Sequence, residues 1–136
     1  MKLAFLMPNY LVVDSSVLIF YDRKGKLEGF LQQKKKENYS VIIPKAVAQE
    51  VLDEPKEFAE EIKQTHPETA NRILNSVERI NRAIEQNLMQ VVVVNYRKYS
   101  KELDNIRKHL SILDAKAEFA VKKGDPELIV LVIQLY

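Results

Sequence analysis

The chain contains no cysteine. That excludes a disulfide framework, a thiolate metal site and a cysteine nucleophile, and it suits a reducing cytoplasm. Histidine is almost as scarce. His66 precedes a helix-starting proline and His109 lies in a charged helix, so neither has ligand spacing and both read as surface residues. No apolar run approaches the ~20 residues that a bilayer requires. The longest, "LIVLVIQLY" at 128–136, is interrupted by Gln134. The opening "MKLAFLMPNY" is too short for a signal peptide and lacks small residues at a cleavage site. The formal net charge of +2 neither requires nor excludes an anionic partner.

The residues that are present fit one soluble domain spanning 1–136. Apolar residues make up 46% and charged residues 29%, the balance of a globular protein with a real core. Three β-branched runs mark buried strands at 10–14, 39–44 and 90–95. Helical patterns separate them. Asp14, Ser15 and Ser16 offer side-chain oxygens to cap a helix that Gly25 ends. A second helix covers 26–38, with Leu27, Phe30 and Leu31 on one face. Pro44 fits the first turn of a helix that Pro55 is expected to close. A long helical stretch from about 56 to 88 breaks at His66-Pro67. Its second half carries an apolar stripe of Ala70, Ile73, Leu74, Val77, Ile80 and Ile84. Helical segments follow the third strand, and Pro126 sits at a helix start before the last apolar run. Strands alternating with helices predict an α/β domain with a parallel sheet.

In such sheets chemistry collects at the carboxyl ends of the strands. Asp14 stands at one such end. Glu50, two turns into the helix after the second strand, leans back over the same edge. Asp125, beside Pro126, supplies a third acid at a helix start. Carboxylates converging on one edge repel unless a cation sits between them, and hard oxygen ligands suit Mg²⁺ or Mn²⁺. Each residue also has a plainer reading. Asp14 and Asp125 are ordinary helix caps, and Glu50 is an ordinary solvated helix residue.

The segments "VVDSSVLI", "VIIPKAVAQEVL" and "KKGDPELIVLVIQL" resemble successive motifs of the PIN-domain family of ribonucleases. The family pattern is a hydrophobic strand ending in Asp followed by Ser or Thr. An apolar strand, a proline and a helix bearing Glu come next, then an acid that opens a helix running into an apolar stretch. The resemblance runs from about residue 10 to the end. It implies a three-layer α/β/α domain around a central parallel sheet. It also implies a Mg²⁺- or Mn²⁺-dependent endoribonuclease, either the toxin of a toxin–antitoxin pair or an RNA-processing enzyme. Asp14, Glu50 and Asp125 match the family acids, which serve as metal ligands for phosphodiester hydrolysis with one or two metals. Ser16 matches the small polar residue near the first acid. Asp114 and Glu127 remain alternatives to Asp125. The family usually continues into a fourth strand that ends in another acid, and this sequence stops at Tyr136 where that strand should begin.

That departure keeps a second expectation open: a PIN-like binding or scaffold module with impaired catalysis. It also predicts a homo-oligomer, because without a fourth strand the first would be an uncovered edge. The partners implied are RNA and, for a toxin, an antitoxin protein, with no membrane. Arg97, Lys98 and Lys101 follow the third strand, so they are the expected phosphate contacts. They rank above Lys34–Lys36, which read as a solvated helix end. Tyr96 and Tyr99 either stack on bases or pack at the strand exit.

Overall fold

The computed structural model describes residues 9–95, 97–102, 104, 105 and 129. The architecture is mixed α/β and mostly helical, built on a three-stranded parallel sheet. Strand β1 (Asn9–Val12) leads into α1 (Ser15–Arg23) and α2 (Leu27–Lys36). Strand β2 (Tyr39–Pro44) leads into α3 (Lys45–Ala48), a π-helical turn (Gln49–Asp53), α4 (Glu54–Ile62) and α5 (Pro67–Glu85). Strand β3 (Gln90–Val92) follows, and residues 97–102 are helical again. The order is β1-β2-β3, with Val12 opposite Ile42 and Ile42 opposite Gln90.

Both faces of β2 are buried, as parallel sheets with helical crossovers require. Val41 and Ile43 join Leu18, Leu31 and Ile80 in the main core, with helices α1, α2 and α5 around them. Ile42, on the opposite face, packs with Val94, Val12, Val92 and Tyr99. Each fully buried aliphatic side chain stabilises the fold by about 1.5–3 kcal/mol. The α5 stripe meets this core as its spacing predicts, with Ala70 and Ile80 buried and Ile73, Leu74, Val77 and Ile84 half-buried.

Gly25 ends α1 as its sequence position predicts. Its φ of 67° is left-handed. Gly25 N–H donates to the Asp22 carbonyl at 2.9 Å and Lys26 N–H to the Tyr21 carbonyl at 2.8 Å, the paired bonds of a Schellman cap. The break before Pro67 is also where the sequence places it.

Two elements differ from expectation. Pro55 does not close its helix; it sits in the first turn of α4. The proline ring would collide with the Val51 carbonyl in a regular α-helix. The preceding residues widen into a π turn instead, in which Glu54 N–H reaches back to the Gln49 carbonyl. Strand β3 is shorter than the apolar run 90–95. Its last partner is Pro44, after which β2 has already become helix, so 93–95 have no strand to pair with. Among the described residues no helix is long and apolar enough to cross a membrane.

Candidate functional site

Because the strands are parallel, the segments following all three emerge at the same edge of the sheet. Asp14 follows β1. Its backbone is extended (φ −94°, ψ 174°), and its Oδ1 accepts the Val17 N–H at 3.0 Å, capping α1. The cap holds the half-buried carboxylate over the positive end of the helix, where an anion is favoured.

Glu50 lies in the π turn, and its Oε2 accepts the Ser15 hydroxyl at 2.9 Å. This bond spans 35 residues and ties the helical segment after β2 to the first turn of α1. The π turn places Glu50 half-buried on the α1 side. Glu50 therefore meets Ser15, the residue that follows Asp14, at the carboxyl edge. Asp14 Oδ2 and Glu50 Oε1 have no hydrogen-bond partner among the described residues. Two hard oxygens beside the α1 N-terminus match the donor chemistry of Mg²⁺ or Mn²⁺. Ser16, the polar residue expected near Asp14, is exposed and lines a hollow of about 830 Å³ beside it. That hollow has a mainly apolar wall, including Leu11, Phe20, Tyr21 and Phe30. Tyr21 and Phe30 stack with ring centroids 4.1 Å apart.

Asp125 and its alternatives Asp114 and Glu127 lie outside the described residues, as do Tyr96 and His109. Among the described residues no three His, Cys, Asp or Glu side chains come together. Arg97, Lys98 and Lys101 are exposed on the helical segment after β3. Asn95 opens that segment: its Oδ1 accepts the Lys98 N–H at 3.0 Å and its carbonyl accepts the Tyr99 N–H at 3.0 Å. Tyr99 packs against the Ile42–Val94 cluster, and Lys98 Nζ lies 5.3 Å from its ring centroid. Lys34 is engaged, 3.1 Å from Glu37 and above the Phe30 ring. His66 is exposed, with a ring nitrogen 3.0 Å from Thr65 Oγ1.

One cluster was not anticipated. Asp22 is buried, and Arg79 grips it with two bonds, Nε to Oδ1 at 2.7 Å and Nη2 to Oδ2 at 3.1 Å. Ser76 donates to Oδ2 as well. The hydrogen bond to Asp22 raises the Arg79 pKa above the usual arginine range; partial burial opposes this and the Asp22 charge adds to it. The faint signal for this pair is an acid in the last turn of a helix, where the dipole disfavours it unless a cation is near.

No protein-family model, curated protein or solved structure matches the chain.

Proposed function

We propose that the chain is a metal-dependent endoribonuclease with a PIN-like three-layer fold. The observation that carries this reading is the Ser15–Glu50 hydrogen bond, which ties the second acid to the residue after Asp14 at the carboxyl edge of a parallel sheet. The motif order of the sequence supports it. Asp14 and Glu50 would hold Mg²⁺ or Mn²⁺ together with Asp125, Asp114 or Glu127. A bound cation of this kind supplies an acidified water and neutralises charge that grows on the phosphate.

The chain's own residues have distinct tasks. Asp14, fixed by the Val17 N–H, keeps one carboxylate oxygen directed by the cap. Ser15 orients Glu50 and leaves Oε1 for ligation. Arg97, Lys98 and Lys101 sit at the same edge and attract the RNA backbone.

A second reading is a PIN-like binding module without catalysis, acting in a homo-oligomer or against an antitoxin. The open, mainly apolar hollow beside Asp14 favours it.

A cleavage assay separates the two. A labelled single-stranded RNA is incubated with Mn²⁺ and wild type, Asp14→Asn or Glu50→Gln. The nuclease reading expects internal cuts, abolished by EDTA and reduced by about a hundredfold or more in either variant. Cutting that persists undiminished in Asp14→Asn overturns it. No cutting by wild type, with stable self-association, selects the binding module.

A further inference from the structure

A second hollow lies between α1, the π turn and α5, with a volume of about 620 Å³. Arg23, Arg72 and Arg79 line it, and among the described residues Asp22 is the one acid in its walls. Arg79 already neutralises that acid, so two further guanidinium charges face the hollow with no second carboxylate among its described lining residues. Both Arg23 and Arg72 are exposed, and Arg72 reaches Thr69 Oγ1 at 3.5 Å. The Asp22 clamp uses Nε and one Nη2 hydrogen of Arg79, which leaves three of its five N–H donors and fixes their direction. Thr69 and Asn75 add neutral polar groups, and Ile73 and Val51 form an apolar floor.

The hollow shares two elements with the carboxyl edge. Val51, in its wall, is the neighbour of Glu50. On α1, Ser15, Ile19, Asp22 and Arg23 fall at the i, i+4, i+7, i+8 positions of one helical face. Ser15 meets Glu50, while Ile19, Asp22 and Arg23 line the hollow. Eight residues at 1.5 Å each set Arg23 about 12 Å along the helix from Ser15. Phosphates of one strand advance ~3.4 Å each along a stacked duplex axis and farther in an extended single strand, so at most about three or four nucleotides cover that distance.

We propose that this arginine-lined hollow is a docking site for backbone phosphates of the RNA strand, a few nucleotides from the Asp14–Glu50 edge. Guanidinium groups match phosphate through paired donors, and a pre-fixed Arg79 loses little freedom on contact. The proposal rests on the ribonuclease reading for its ligand. An acidic protein segment is the competing occupant, because it would meet the same charges.

The test uses the full chain in an Asp14→Asn background, so that binding is read without cutting. The probe is a fluorescein-labelled uridine 12-mer, followed by anisotropy across a salt series. Arg23→Ala with Arg72→Ala should weaken binding by about tenfold and reduce the salt slope by about 1.4, since each single-strand phosphate contact contributes ~0.7. Lys35→Ala with Lys36→Ala makes the same charge change outside the hollow and should leave both unchanged. Equal losses in the two double variants, or none in the arginine pair, overturn the docking site. So does a loss confined to Arg97→Ala/Lys98→Ala/Lys101→Ala, or competition by polyglutamate as strong as by unlabelled RNA. A parallel cleavage assay with Asp14 intact separates the two readings. Asp14-dependent cutting with unchanged binding in the arginine pair removes the docking site and keeps the nuclease. Arginine-dependent binding without cutting by wild type removes the nuclease and keeps the docking site.

Discussion

Replacing Arg79 with alanine should destabilise the protein far more than its position suggests. The Arg79 side chain is 49% exposed, whereas that of Asp22 is only 3% exposed. Removing the arginine therefore leaves a buried carboxylate with Ser76 as its remaining donor. Breaking a fully buried pair costs about 3–5 kcal/mol. Here one partner stands half in water, where solvent screens it, so the expected loss is about 2 kcal/mol. For a chain of this size that lowers the melting temperature by about 6–10 °C. Asp22→Ala should cost less, about 1 kcal/mol, because the freed guanidinium reaches water. The double variant should then resemble Asp22→Ala, with a coupling of about 1–2 kcal/mol. The raised Arg79 pKa stabilises the fold fully below the unfolded arginine pKa and is lost only above the folded one. Arg79 therefore stays charged from about pH 6 to about pH 10, and its titration adds no slope there. Calorimetric melting of the four proteins tests this. A fall of less than about 2 °C for Arg79→Ala, or strict additivity in the double variant, would refute the reasoning.

Other substitutions probe the edge and the core. Asp14→Ala removes the α1 cap and should cost about 1 kcal/mol, whereas Asp14→Asn keeps a capping oxygen and loses only the charge at the positive helix end, so it should cost less; thermal melts in EDTA read both. Leu18 is completely buried, so Leu18→Ala should cost about 3 kcal/mol by urea denaturation with an unchanged m-value. Gly25→Ala meets no atom within 4 Å, so its cost of about 1 kcal/mol is all backbone strain at positive φ.

The parts of this fold that depend on local pattern were legible. Three β-branched runs became strands, the 3–4 spacing from Ala70 to Ile84 became the buried face of α5, and Gly25 and Pro67 punctuated helices where their backbone preferences require. Pro55 was misleading because a proline closes a helix only if the preceding turn stays α-helical; the π turn removes that conflict. The strand run 90–95 was too long because pairing length is set by the partner, and β2 ends at Pro44. At the candidate site, the positions of Asp14 and Glu50 after strands were legible. The Ser15–Glu50 contact was not, since it depends on the helical phase set by the π turn. The Asp22–Arg79 clamp joins residues 57 apart on two helices whose packing no local pattern encodes.

The central claim is that Asp14 and Glu50 act as one cation site, and calorimetric titration of Mn²⁺ into the full chain tests it most directly. Wild type should bind Mn²⁺, with affinity about tenfold or more weaker in Asp14→Asn and in Glu50→Gln. Ser15→Ala should weaken binding by a smaller factor, because it only frees Glu50 to rotate. Equal Mn²⁺ affinity in wild type and Asp14→Asn would contradict the claim and leave Asp14 a helix cap and nothing more.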